Sequence, residues 1–275
     1  MNKKVKVSVI MGVFNPGNAK SFMRAVRSIM RQTLQEWELI LYDDGSKEAC
    51  AGIIRQAAAL DPRIRYVRDR RNCGLAHALN ECIWQSKGRY IARMDDDDVS
   101  RPDRLEKQAD FLENHVQYQW VGSNAQLTDR QGVWGYQKMP EAPEKKDFLF
   151  NSPYIHPSVM FRKEILLQSG GYSVDSRNSG CEDYELFMRL QASGARGYNI
   201  QEPLLQYHED YAAHRKRTYR RRIREMGLRF RGFKEMGILD GYALRYVLKP
   251  LLVGVVPPPV HHYINRRLKR DKGEG

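Results

Sequence analysis

Gly88-Arg89-Tyr90-Ile91-Ala92-Arg93 leads without a break into Met94-Asp95-Asp96-Asp97-Asp98. The first part reads as a strand, and the second sets four carboxylates side by side at its end. Two like charges 4 Å apart repel by roughly 1 kcal/mol even in water. A soluble domain gathers such a run where something opposes the repulsion. Oxygen ligands on a short loop suit Mg2+ or Mn2+, ions that also hold substrate phosphates. A solvated acidic turn would satisfy the same four residues taken alone, so the surrounding chain has to decide.

Outward from this run the chain alternates in type. Residues 5–14 are apolar and β-branched, hence a strand. Residues 18–31 form an amphipathic helix with Phe22, Ala25, Val26 and Ile29 on one face. A strand over 37–42 ends at Asp43-Asp44-Gly45-Ser46. The pattern then predicts a helix over 48–60, a strand over 64–67, a helix over 75–85, a strand over 90–94 and a helix over 104–114. Strands separated by helices of this length imply an α/β fold, with a mostly parallel sheet covered by helices on both faces. Ligands of such open sheets bind beyond the carboxyl ends of the strands. Phe14-Asn15-Pro16-Gly17, Asp43 to Ser46 and Asp95 to Asp98 all belong there, facing one crevice. From Gln119 the alternation breaks. A strand over 120–123, loops and short strands over 129–157, a helix over 182–192 and a strand near 198–200 read as an elaboration of the same domain.

The 275 residues, 41% hydrophobic and 10% aromatic, suffice for a sizeable core and exclude a disordered chain. The four cysteines (Cys50, Cys73, Cys82, Cys181) show no CxxC pair, which points to free thiols in a reducing cytoplasm. The first apolar run ends at Asn15-Pro16-Gly17 and reads as a strand, not a signal peptide. No stretch reaches the ~18–20 apolar residues of a membrane span. Residues 242–256 come nearest, but Arg245, Lys249 and Pro250 interrupt them. The net charge of +13 is concentrated late: residues 214–234 hold ten Lys or Arg against one acid, Glu225. Leu228, Phe230, Phe233 and Met236 are interleaved with these cations, a pattern suited to an anionic membrane surface. Nucleic-acid binding finds no RNP-like strand, zinc knuckle or KH-type loop to support it.

Asp43 and Asp44 could accept from a nucleobase or a ribose hydroxyl, or simply make an Asp-Gly turn. Gly12 to Gly17 contains neither GxGxxG nor a P-loop, so bound phosphates would need a metal at Asp95 and Asp97. Glu182-Asp183 opens a helix, where acids complement the dipole. A carboxylate there could equally act as a general base. His156, before Pro157, reads as a buried structural histidine. His208 and His214 could complete a metal shell or simply lie at the surface.

The ordered series of motifs resembles family 2 glycosyltransferases. It runs through Val7 to Met11 with Phe14-Asn15, Arg31-Gln32-Thr33, Asp43-Asp44-Gly45-Ser46, Asn72-Cys73-Gly74-Leu75, Asp95 to Asp98, Pro102-Asp103-Arg104-Leu105, His156-Pro157-Ser158, Gly170-Gly171-Tyr172 and Glu182-Asp183-Tyr184. The resemblance implies the GT-A fold and inverting transfer of one sugar from a UDP-, GDP- or dTDP-sugar, assisted by Mn2+ or Mg2+. It implies that Phe14 packs on the base, which Asp44 contacts, and that Asp95, Asp96 and Asp97 meet the nucleotide-sugar. Asp97 and Asp95 would hold the metal, His208 would join the diphosphate or metal shell, and Asp183 would be the base. Phe14 stands where the family often has Tyr. The Gln-x-x-Arg-Trp motif of processive synthases is absent. The tail is similar to that of bacterial enzymes building O-antigen, capsule or exopolysaccharide on a polyprenyl-diphosphate carrier. The expected organisation is a catalytic domain over 1–213, with a nucleotide-sugar half (1–115) and an acceptor half (116–213). A basic extension over 214–275 would hold the protein peripherally at the inner face of the cytoplasmic membrane. The competing readings are a sugar nucleotidyltransferase, which should carry a basic Gly-rich loop near its N-terminus, and a non-catalytic basic membrane- or RNA-binding module.

Overall fold

Two strands show why the chain folds as it does. In β1 (Val7–Val13) six of seven residues are buried, and in β2 (Trp37–Asp43) all seven are. Runs apolar on both faces belong at the centre of a parallel sheet. The computed structural model, which describes residues 4–209, 219–255, 266, 267 and 269, places them there. With β3 (Ile64–Arg68) and β4 (Tyr90–Arg93) they form an all-parallel unit in the order β3-β2-β1-β4.

The two-residue period of β1 assigns its faces. Val7, Val9, Met11 and Val13 pack with Phe22, Val26 and Ile29 of α1 (Ala19–Met30) and Leu105 and Leu112 of α4 (Arg104–Asn114). Ile10 faces the other way, toward Leu79 and Ile83 of α3 (Leu75–Gln85). α2 (Glu48–Ala58) adds Ile54 and Ala57 to the first side. α1 starts where Asn18 accepts the Lys20 N–H at 2.9 Å, a side-chain N-cap.

Beyond β4 the sheet continues with mixed directions, through β5 (Val99–Ser100), β6 (Trp120–Asp129), β7 (Gly132–Gln137), β8 (Met160–Arg162) and β9 (Gly197–His208). The order is β4-β8-β6-β9-β5, with β7 paired to β6. β8 lies antiparallel to β4 and β6, and β9 runs parallel to β6. β9 extends well past the three residues expected from alternation. Its register against β6 jumps from Ser123↔Ile200 to Asn124↔Pro203, so the irregularity hides the strand from a period-2 reading. α5 (Lys163–Gln168) and α6 (Glu182–Ala192) cover this half.

The basic segment is packed into the fold. α7 (Tyr219–Glu235), the Met236 that follows it and α8 (Ala243–Val255) bring Leu228, Phe233, Met236, Ala243 and Val247 into the cluster that holds Leu186 and Phe187 of α6. At Gly232 the helices come so close that a β-carbon would lie 2.5 Å from the Met188 sulfur. Arg229 is buried. It pairs with Glu225 at 2.8 Å and donates to the carbonyls of Leu149 at 2.8 Å and Phe150 at 3.1 Å. His214, the proline run 257–259, Leu268 and Arg270 lie outside the described residues. No helix among the described residues is long and apolar enough to cross a membrane. All four cysteines are free.

Candidate active site

β4 delivers the acidic run to the carboxyl end of the sheet. Its last residue, Arg93, is 2% exposed and reaches Asp95 Oδ1 at 2.5 Å. One carboxylate oxygen from each of Asp95, Asp97 and Asp98 lies within 4.8 Å of the others. Burial and mutual repulsion push Asp96 up to about 7 and Asp97 up to about 6. Burial and the charges of Asp95 and Asp97 hold Asp98 well above the usual carboxylate range. Asp98 accepts the His208 N–H at 2.7 Å through Oδ1, while its buried Oδ2 has no protein partner. A hard-oxygen donor set, crowded charge and an orphaned buried oxygen together fit a divalent cation.

That backbone bond ties the end of β9 to the acidic loop and sets the His208 ring near Asp97, where it offsets part of the rise in the Asp97 pKa. A hollow of about 720 Å³ opens here, lined among others by Phe14, Asn15, Arg24, Asp96, Asp97 and His208. Phe14 projects from the end of β1 with 49% of its surface exposed. The loop that carries it is fixed. Asn15 sits in the left-handed region (φ 47°), its N–H donates to Ser46 Oγ at 2.8 Å, and its Oδ1 accepts the Lys47 N–H at 2.9 Å.

Asp43 and Asp44 are both buried at the end of β2. Asp43 accepts from the Ser46 N–H at 2.8 Å and the Tyr66 hydroxyl at 2.9 Å, which makes it a fastener. Asp44 accepts the Cys73 N–H on Oδ1, and the Gly74 N–H and Asn72 Nδ2 on Oδ2, each at 2.8 Å. A carboxylate offers about four lone-pair sites, so one stays open after these bonds. Gly45 cannot be exchanged for a larger residue. Its φ is +74°, and a β-carbon would lie 2.4 Å from the Arg71 carbonyl carbon.

A second hollow of about 630 Å³ takes its share of the acidic loop from Asp95 and is lined among others by His156, Gly180, Asp183, Tyr207 and Arg221. Asp183 is the second residue of α6, and burial raises its pKa despite the Tyr184 N–H. Glu182 bonds back to the Gly180 N–H at 2.8 Å, and the Arg221 guanidinium donates to the Gly180 carbonyl. His156 meets the Tyr172 hydroxyl at 2.7 Å, and burial beside Arg93 keeps its ring neutral.

Of the residues singled out from sequence, Phe14, Asp96, Asp97 and His208 meet at the first hollow, and Asp95 and Asp183 at the second. Asp44 lines neither. His156, expected to be buried, is half-buried and borders the cleft. Arg93, Asp98 and Arg221 were not assigned roles from sequence. Arg93 had a signal, an Arg inside a strand that ends in four Asp. Arg221 had none, because it lies 38 residues beyond Asp183 in the chain.

The fold is similar to that of the GT-A sugar transferases. Residues 8–170 match the model of glycosyl transferase family 2, and the chain belongs to that family: it is a glycosyltransferase. It is 35% identical over 277 residues to EpsE of Bacillus subtilis, described as a glycosyltransferase, covering 100% of this chain and 98% of that protein. It is 28% identical over 205 residues to the Escherichia coli UDP-Gal:α-D-GlcNAc-diphosphoundecaprenol β-1,3-galactosyltransferase, covering 73% of each. The fold is similar to that of a mannosyltransferase from Pyrobaculum calidifontis solved with GDP-Man and Mn2+. The TM-score there is 0.61 at 19% identity, with 97% of this chain and 81% of the other covered.

Proposed function

We propose that the protein transfers one sugar, with inversion, from a nucleotide-sugar to a hydroxyl of a polyprenyl-diphosphate-linked glycan at the inner face of the bacterial cytoplasmic membrane. The observation that carries this is an acidic loop that contributes carboxylates to two hollows. Phe14, Asp97 and His208 border one, and Asp95 and Asp183 both line the other.

In this reading Phe14 supplies a stacking face for the base, and the open lone pair of Asp44 takes a base or ribose donor. Asp95 and Asp97 would hold Mn2+ or Mg2+, with Asp98 beside them. When bound, the ion offsets the charge that develops on the departing nucleoside diphosphate. Asp183 takes the proton of the acceptor hydroxyl, and the raised pKa that burial gives it suits that task. Asp95 and Asp183 line one cavity, which supports attack by a hydroxyl held at Asp183 as the diphosphate leaves toward Asp95, a single displacement that inverts the sugar. The E. coli relative's named acceptor, a diphosphoundecaprenol-linked GlcNAc, supports a lipid-linked substrate. The nucleotidyltransferase reading is disfavoured, because Gly12 to Gly17 holds no Lys or Arg to grip a triphosphate.

Asp183→Asn tests the role of the base. Transfer should fall by about 10²- to 10⁴-fold while nucleotide-sugar affinity stays the same. Undiminished transfer would remove Asp183 from the chemistry.

A further inference from the structure

We infer that the outward faces of α7 and α8 form a docking surface for an anionic lipid bilayer. α7 has two apolar sides. One carries Leu228, Gly232 and Phe233 into the core. The other carries Tyr219, Ile223 and Phe230, whose spacings of four and seven residues keep them in one stripe. α8 repeats the device with Leu244, Leu248 and Leu252, again four apart. These six side chains are between 44% and 68% exposed.

The stripes belong to one surface. Arg222 near the start of α7 donates to the Pro250 carbonyl near the end of α8 at 3.3 Å, and the Tyr219 ring lies 3.5 Å from where a side chain at Gly254 would begin. The helices therefore run antiparallel, with Tyr219 and Ile223 beside the Leu252 end.

Charge selects the occupant. Residues 219–255 hold nine Lys or Arg and three acids. Glu225 is spent on Arg229, and the Asp240 carboxylate accepts the Ala243 N–H. Glu235 is the acid that remains. Exposed Arg220, Lys234 and Arg245 accompany the apolar stripes. Aliphatic side chains with a cationic rim match the acyl boundary and headgroups of an anionic leaflet. The described part of α8 has 13 residues, fewer than a bilayer span needs, which suits a helix lying in the interface plane.

The surface adjoins the cleft. Arg221, between Tyr219 and Ile223 in the chain, donates to the Gly180 carbonyl in the hollow that Asp183 lines. A membrane-borne acceptor could reach Asp183 without leaving the leaflet, and this last step alone rests on the lipid-linked acceptor proposed above.

Removing 214–275 would not test the surface, because α7 fills the core. The test is co-sedimentation of the full chain with phosphatidylcholine vesicles, with and without phosphatidylglycerol, for the wild type and for Ile223→Glu/Leu248→Glu. The wild type should bind the phosphatidylglycerol vesicles, less so at high salt. The variant should bind about tenfold more weakly, with unchanged melting temperature and unchanged nucleotide-sugar affinity in solution. No binding by the wild type, equal binding to pure phosphatidylcholine, or undiminished binding by the variant would overturn the inference. Vesicle binding without transfer to any lipid-linked acceptor would leave the surface standing and remove the acceptor reading instead.

Discussion

Arg93 and Asp95 form the contact on which the acidic loop depends. The guanidinium is buried, reaches Asp95 at 2.5 Å, and also faces the charge of Asp98. Truncating one member of a buried ion pair leaves the other uncompensated and costs about 3–5 kcal/mol. Arg93→Met is expected to lose stability on that scale in a urea titration, and saturating Mn2+ should restore part of it. A variant as stable as the wild type would mean that the loop does not need its cation. At this scale the sequence was readable where the chemistry is contiguous. Asp95 to Asp98 announce themselves, and Phe14 sits at a predicted strand end. Asp44 shows the limit: its partners Asn72, Cys73 and Gly74 are about 30 residues away, so their claim on its oxygens is visible only in three dimensions.

α7 is the element whose charge count misled most about its packing. Ten cations between 214 and 234 read as a solvated or lipid-facing segment, yet Arg229 is inside the protein, held by Glu225, two backbone carbonyls and the Tyr184 ring 5.2 Å away. Counting charges cannot separate a buried Arg from an exposed one. The cues were the Glu225-to-Arg229 spacing of four and the apolar pair Leu228 and Phe233. Arg229→Ala is expected to destabilise by about 3–5 kcal/mol, measured as a lower denaturation midpoint, because it strands Glu225 and two carbonyls. A loss below about 1 kcal/mol would place Arg229 among ordinary surface pairs. Among the other elements, the long periodic ones were legible. α3, α4 and α6 begin and end as the pattern predicts. β5 and β8 span two and three residues, too few to show a period, and pair only through distant partners.

At the scale of the whole molecule, the parallel unit supplies the strand ends that carry Phe14, Asp44 and the acidic loop, and the mixed half supplies His208 and Asp183. β8 joins the halves by pairing with both β4 and β6, which puts the acidic loop at their junction. The parallel half was legible from βα alternation. The mixed half was not, since its strands pair out of order and its site residues come from a strand end and a helix start far apart in sequence.

The central claim is a donor site that works through a cation held at Asp95 and Asp97. It is tested most directly by calorimetric titration of UDP-, GDP- and dTDP-sugars into the purified protein, with Mn2+ and with EDTA, alongside Asp97→Ala. Binding of one nucleotide class that requires Mn2+ and disappears in Asp97→Ala is the expected result. Binding of equal strength in EDTA, or undiminished in Asp97→Ala, would contradict it.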